Sequence, residues 1–85
     1  MNISKYEQRV LHVLAQGGAI SFKRGDNGKL QDVTCVTRDG HVLNDCTLAV
    51  VERLKKRRLI RSRGGAAYRV TRAGLAAVRA QLDQR

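Results

Sequence analysis

Seven basic side chains fall within eleven consecutive residues of the chain, between positions 53 and 63. Guanidinium and ammonium groups at this density favour anionic ligands, because phosphates and carboxylates accept several charge-assisted hydrogen bonds at once. The pattern therefore predicts a surface that binds an anionic polymer or an acidic protein. The seven residues are Arg53, Lys55, Lys56, Arg57, Arg58, Arg61 and Arg63.

The positive charge is concentrated in the C-terminal half of the chain. The 85 residues carry a formal net charge of +10, of which residues 1–45 contribute +1 and residues 46–85 contribute +9. We interpret this asymmetry as a binding face, which Arg69 and Arg72 extend beyond the first seven residues. A simpler interpretation of Lys55 to Arg58 is that they complement the dipole at the end of a helix.

Two cysteines and a histidine are the only candidates for metal chemistry. Cys35, His41 and Cys46 supply three ligands, and their spacing matches no established zinc motif. We therefore expect two small buried thiols, with no metal and no cofactor.

The sequence offers no catalytic constellation. It lacks a nucleophile with a plausible base and a pair of carboxylates in an apolar setting, and the segment from Gly25 to Gly28 is typical of a hairpin turn. We expect a protein that is not an enzyme. Composition alone leaves an RNA-cleaving site open, because histidine, arginine and lysine are all present.

Length and hydropathy indicate one small domain over residues 1–85. No apolar run approaches the roughly 20 residues that span a bilayer, and the N-terminus lacks the pattern of a secretory signal. We therefore expect a cytoplasmic protein without a membrane partner.

The first element that the sequence predicts is a helix that begins after Ser4. Ser4 and Glu7 have the spacing of a capping box, in which each side chain satisfies a backbone donor of the other. Gly17 and Gly18 should end this helix in a left-handed turn. The residues expected to face the core are Tyr6, Val10, Val13 and Leu14.

Residues 19–44 have the alternation of β-strands and no helical periodicity. A three-stranded antiparallel meander, or a hairpin with a short third strand, fits them best. Ile20 and Phe22 share one face of the first strand, and Val33 and Cys35 share one face of the second.

A second helix should follow, with Asn44 or Asp45 as its N-cap. Its inward stripe is predicted to contain Thr47, Val50, Val51 and Leu54.

Beyond it, the residues from Leu59 to Val70 have the pattern of a two-stranded wing around Gly64 and Gly65. The expected register pairs Ile60 with Val70 and Ser62 with Tyr68, which turns Arg61, Arg63 and Arg69 to the outer face.

Thr71 should cap a third helix. Gly74 falls in the first turn of this helix, where a glycine lets another backbone approach closely. The inner stripe of this helix is predicted to be Leu75, Val78 and Leu82.

Residues 46–82 resemble the second half of a winged helix-turn-helix domain. The expected fold is α+β, a small winged-helix-like domain with three helices, an antiparallel hairpin or meander after the first helix, and a C-terminal β-wing. Two departures weaken the DNA-reading interpretation. The helix that should precede the recognition helix is replaced by β-structure, and Thr47, Leu48 and Ala49 cannot read base edges.

The whole chain resembles the YjhX family of small bacterial toxins. The resemblance is carried by MNISKYEQRVLHVLAQGG, VTCVTRDG, LNDCTLAVVERLKKRRLIRS and YRVTRAGLAAVRAQLDQR. It implies a toxin of a type II toxin–antitoxin pair that binds and inhibits bacterial DNA topoisomerase I. It also implies an antitoxin that resembles an acetyltransferase. The alternative that the residues leave open is a DNA-binding winged-helix transcriptional regulator.

Overall fold

Three helices and five antiparallel strands make up an α+β fold. The structure, a computed structural model, describes residues 3–83 and the side chains of residues 3–80. The elements are α1 (Lys5–Ala15), β1 (Ala19–Arg24), β2 (Leu30–Val36), β3 (Val42–Leu43), α2 (Leu48–Lys56), β4 (Ile60–Arg61), β5 (Arg69–Val70) and α3 (Arg72–Asp83).

Helix α1 begins and ends where the sequence predicts. The Ser4 hydroxyl accepts from the Glu7 backbone N–H at 3.1 Å. At the other end Gly17 adopts a φ of +103°. The Gly17 and Gly18 N–H groups donate to the carbonyls of Leu14 and Val13, each at 3.1 Å, which closes the last turn.

The buried stripe of α1 differs from the predicted one. Its members are Glu7, Val10, Leu11 and Leu14, at the spacing of one helical face. Tyr6, which was expected in the core, is 51% exposed, because Glu7 occupies the inward position of the first turn. The reciprocal half of the capping box was also wrong, since the Glu7 carboxylate accepts hydrogen bonds from helix α2.

The strands β1, β2 and β3 form the predicted antiparallel meander. Ile20 lies opposite Cys35, and Phe22 lies opposite Val33. Ile20 and Cys35 are fully buried, while Phe22 and Val33 are half-buried nearer the turn of the hairpin. The shared inward face follows from the two-residue period of a strand.

Helix α2 is capped by Thr47, and the prediction of Asn44 or Asp45 was wrong. The Thr47 hydroxyl accepts from the Val50 N–H at 3.3 Å, which turns Thr47 away from the core where it had been placed. Asn44 and Asp45 lie in the preceding turn, and the Asp45 carboxylate pairs with Arg9 of α1. The apolar stripe of α2 is confirmed, and it consists of Val50, Val51 and Leu54.

The wing β4–β5 has the predicted register at its base, with Ile60 opposite Val70 and Arg61 opposite Arg69. The predicted pairing of Ser62 with Tyr68 was wrong. Tyr68 instead exchanges both backbone hydrogen bonds with Ile20, at 3.0 and 2.8 Å. The wing is therefore attached to the meander through strand β1.

Helix α3 begins at the predicted cap. The Thr71 hydroxyl accepts from the Gly74 N–H at 3.1 Å. Val78 is buried as predicted, whereas Leu75 is 38% exposed, so its assignment to the inner stripe was wrong. The inward face of α3 consists of Gly74, Ala77 and Val78. This face is fixed because Gly74 packs against the residue that precedes β4. The side chain of Leu82 lies outside the described residues.

The close approach predicted at Gly74 involves the base of the wing. A β-carbon at this position would lie 2.3 Å from the Leu59 carbonyl oxygen and 2.6 Å from Val70 Cγ2. Only glycine lets α3 and the wing meet at this distance.

Substitution of Gly74 by alanine separates helix propensity from packing. Propensity alone predicts that G74A stabilises the protein by about 1 kcal/mol. Because the new methyl group would overlap a backbone carbonyl, we expect instead that G74A lowers the free energy of unfolding by about 1–3 kcal/mol. Urea denaturation measures the difference, and a more stable G74A protein would contradict the observed packing.

Candidate functional site

One buried carboxylate connects α1 to the basic helix α2. Glu7 is 2% exposed. Its two oxygens accept from Arg53 Nε at 3.1 Å and from Arg57 Nη1 at 3.2 Å. Arg53 and Arg57 are four residues apart, so they extend from the same side of α2. These two members of the predicted partner-binding face therefore satisfy a buried charge of the protein itself.

Two more basic residues of the predicted face also have partners within the chain. Lys55 Nζ lies 5.8 Å from the centroid of the Tyr68 ring, which packs in turn against Phe22 with ring centroids 5.0 Å apart. Arg69 Nη1 donates to the carbonyls of Gly17 and Gly18, at 3.1 and 3.3 Å. Both contacts fix the wing against the rest of the protein.

The remaining basic residues gather around a concavity beside the wing, which we call the wing cleft. It has a volume of about 730 Å³. Within the described residues no Asp or Glu lines it, and every charged group in its wall is a guanidinium. Its lining residues are Arg58, Arg61, Arg63, Ala66, Ala67, Arg69, Val70, Thr71, Arg72 and Ala73.

Four of the five arginines in the wing cleft are available to a ligand. The side chains of Arg58, Arg61, Arg63 and Arg72 form no hydrogen bond, ion pair or ring contact with any other described residue. All four residues are exposed. Like charges this close repel one another, so an anionic ligand would lower the electrostatic energy of the cleft.

Lys56 lies apart from the wing cleft. It lines a shallower depression of about 420 Å³ on α2, together with Glu52, Arg53 and Lys55. The structure thus brings together five of the nine predicted site residues in one cleft and leaves the four residues of α2 outside it.

Arg58 is held in an unusual backbone conformation. Its φ is +60°, and among the described residues it is the one non-glycine residue with a positive φ. Arg58 lies directly after the C-cap residue of α2. The Arg58 N–H donates to the Lys55 carbonyl at 2.9 Å, and the Leu59 N–H donates to the Leu54 carbonyl at 3.0 Å. Glycine is the usual residue at this position of the motif, because a β-carbon makes the left-handed conformation unfavourable.

The left-handed conformation of Arg58 lies in the wall of the wing cleft. Backbone strain of this kind concentrates at functional sites. The Thr71 hydroxyl donates to the Arg58 carbonyl at 2.9 Å, which fixes the residue beside the start of α3 and places its guanidinium in the wing cleft.

The two cysteines are buried next to each other, without a metal cluster. A hydrogen bond between the thiols lowers the pKa of Cys35 despite its burial, and the same hydrogen bond, together with burial, raises the pKa of Cys46. His41, the third candidate ligand, is exposed. In the described part of the chain, no three His, Cys, Asp or Glu side chains come together where they could hold a metal.

Sequence reasoning missed the role of Glu7. The capping-box spacing with Ser4 concealed it, although Glu7 shares a helical face with Val10, Leu11 and Leu14. A carboxylate in an apolar stripe needs a cationic partner, and the two arginines at i and i+4 of the next helix supply it.

These features define the class of the protein as a small basic α+β domain with an arginine-lined cleft. Across residues 3–83 no helix is long and apolar enough to cross a membrane. The sequence profile of the YjhX toxin family, described as "Putative toxin of bacterial toxin-antitoxin pair", matches residues 1–85. The chain belongs to this family.

Relatives of similar length occur in several bacteria. UPF0386 proteins of Parvibaculum lavamentivorans and Beijerinckia indica are 61% and 59% identical over 85 residues, which is the full length of both chains. A UPF0386 protein of Caulobacter vibrioides is 59% identical over the whole of this chain and 93% of its own length. No solved structure matches the chain significantly.

Removal of the Glu7 charge should destabilise the fold more than removal of an exposed one. In E7Q the guanidinium groups of Arg53 and Arg57 lose a buried charged acceptor, so we expect a loss of about 1.5–3 kcal/mol in the free energy of unfolding. The matched control is D45N, which breaks the more exposed pair with Arg9 and should cost less than about 1 kcal/mol. Equal losses in urea denaturation would show that Glu7 is not a structural anchor.

Substitutions at Arg58 should separate the effect of backbone strain on stability from the effect of the side chain. R58G relieves the left-handed conformation, so we expect it to stabilise the protein by about 1 kcal/mol. R58A removes the same guanidinium but keeps the strain, and its stability should stay near that of the natural chain. A thermal unfolding series checks both, and an R58G protein no more stable than R58A would contradict the strain.

Proposed function

We propose that the chain is the toxin of a type II toxin–antitoxin pair and that it acts by binding and inhibiting bacterial DNA topoisomerase I. Membership of a toxin family over the full length supports this role. In the proposed mechanism the basic helix-and-wing face docks on the enzyme and prevents relaxation of negative supercoils. The protein works by occupying a surface and does not catalyse a reaction.

The observation that carries the proposal is the wing cleft. Four arginines without internal partners line one concavity, on a wing that β1 and α3 hold in place. The planar fork of arginine suits bidentate contacts with anions, so less side-chain freedom is lost for each hydrogen bond that forms. Topoisomerase I must itself track DNA, and the proposed contact is to an acidic region of its surface.

We propose a modified winged-helix scaffold for this binding. The order α2, β4, β5 and α3 supports it, because a helix followed by a hairpin and a further helix places the wing beside the basic end of α2. The meander occupies the position of the helix that normally precedes a recognition helix. Thr47, Leu48 and Ala49 begin α2 with no side chain suited to bidentate base contacts, so docking is favoured over sequence reading.

The proposed pair also needs an antitoxin, since the family is one of toxin–antitoxin pairs. The resemblance implies a protein similar to an acetyltransferase. We propose that the antitoxin neutralises the toxin in the cytoplasm, where topoisomerase I works.

Charge reversal on the wing tests the proposed contact. We expect the double variant R61E/R63E to lose direct association with purified topoisomerase I and to lose inhibition of supercoil relaxation, because the wing cleft then repels an acidic surface. The matched control is K23E/K29E, which makes the same change of net charge on exposed residues of the meander. It should inhibit as the natural chain does.

The association is measured by pull-down without DNA, and the relaxation assay is repeated with excess DNA. Direct association in the pull-down, together with inhibition of supercoil relaxation, supports enzyme binding. Unchanged association of R61E/R63E, or inhibition that excess DNA removes in the absence of any direct association, would contradict the proposal.

A further inference from the structure

The composition of the wing cleft also suits a nucleic-acid ligand. The centre of a protein–protein interface is enriched in aromatic residues as well as in arginine. The wing cleft has five arginines, no aromatic residue and no large aliphatic residue apart from the half-buried Val70. Interfaces with DNA are more polar and far more positively charged, as this cleft is.

The number of arginines in the wing cleft favours a repeated anion over a single one. One phosphate is satisfied by one or two guanidinium groups, whereas this cleft presents four unpartnered ones around about 730 Å³. A nucleic-acid backbone supplies phosphates in a regular series. The start of α3 adds a favourable potential at one wall, through the first amides of the helix at Arg72 and Ala73.

The positions of the aromatic residues favour a duplex over a single strand as the ligand of the wing cleft. Binding of unpaired bases depends on exposed aromatic platforms. Tyr68 is buried against Phe22, and Tyr6 lies on α1, so neither contributes to the wing cleft. The wing cleft can therefore contact only the phosphate backbone of a nucleic acid. A duplex presents this backbone while its bases remain paired.

We propose that the wing cleft binds the phosphate backbone of a nucleic-acid duplex, through Arg58, Arg61, Arg63 and Arg72. The proposed contact is independent of base sequence, because the start of α2, the part that reads bases in winged-helix domains, has no side chain suited to bidentate base contacts. This ligand goes beyond the proposed function and does not depend on it. A duplex and topoisomerase I would compete for the same cleft.

The experiment uses the purified full chain without topoisomerase. Fluorescence anisotropy follows its binding to labelled duplex DNA of arbitrary sequence, about 20 base pairs long, between about 50 and 300 mM NaCl. Four phosphate contacts predict that the logarithm of Kd rises with the logarithm of salt concentration with a slope of about 3.6. Binding without this salt dependence, or no binding at the lowest salt, would overturn the proposal.

The Arg58 variants make the test specific to the wing cleft. R58G and R58A should each lower the salt slope by about 0.9, because each removes one phosphate contact although the two differ in backbone strain. R61E/R63E should weaken binding by at least about tenfold more than K23E/K29E, which carries the same net charge. Equal weakening by the two double variants would show that net charge alone attracts the DNA, and would overturn the proposal.

Two further ligands identify the anion. Duplex RNA of the same length should also bind with a salt slope near that of DNA, and the tighter of the two indicates the natural source. Polyglutamate of matched charge should bind more weakly at every salt concentration. If polyglutamate binds as tightly as the duplexes, the cleft is a general acidic-peptide site and the proposal fails, whatever the outcome of the topoisomerase assay.

Discussion

The meeting of α2, the wing and α3 around two consecutive carbonyl groups determines the rest of the functional surface. The Arg58 carbonyl accepts from the Thr71 hydroxyl at 2.9 Å, and the Leu59 carbonyl accepts from the Thr71 N–H at 3.0 Å. Gly74 brings α3 against the same Leu59 carbonyl. Because both ends of the wing are fixed at one point, its arginines lie with Arg58 and Arg72 around a cleft of defined shape.

The basic residues of the C-terminal half have two distinct tasks. Arg53 and Arg57 neutralise the buried Glu7 carboxylate, Lys55 covers the Tyr68 ring, and Arg69 bonds the end of α1. These contacts hold α1, α2 and the wing together. The remaining arginines of the wing cleft have no such contact, so their mutual repulsion is compensated only by solvent or by a ligand.

The sequence was informative where one local rule decides the structure. The glycine stop of α1, the meander, the base of the wing and the Thr71 cap all follow from turn chemistry or two-residue alternation, and the structure confirms them. Errors arose where tertiary contacts compete with a local rule. Ser4 and Glu7 fit a capping box, yet the Glu7 carboxylate is drawn to α2, some 46 residues away in the chain.

The candidate site shows the same limit. The excess of basic residues is visible in the sequence, but a count of charges cannot separate those with internal partners from those without. The strain at Arg58 was also hidden, because nothing in the local sequence shows that an arginine occupies a position that glycine usually takes. Both distinctions depend on contacts between residues that are far apart along the chain.

The most direct test of the central claim, that the wing cleft is the docking surface, is hydrogen–deuterium exchange of the chain alone and in complex with topoisomerase I. The account predicts that binding slows amide exchange within residues 58–73, which line the cleft, and leaves residues 25–40 of the meander unchanged. Slower exchange in the meander, with none in the wing, would contradict it.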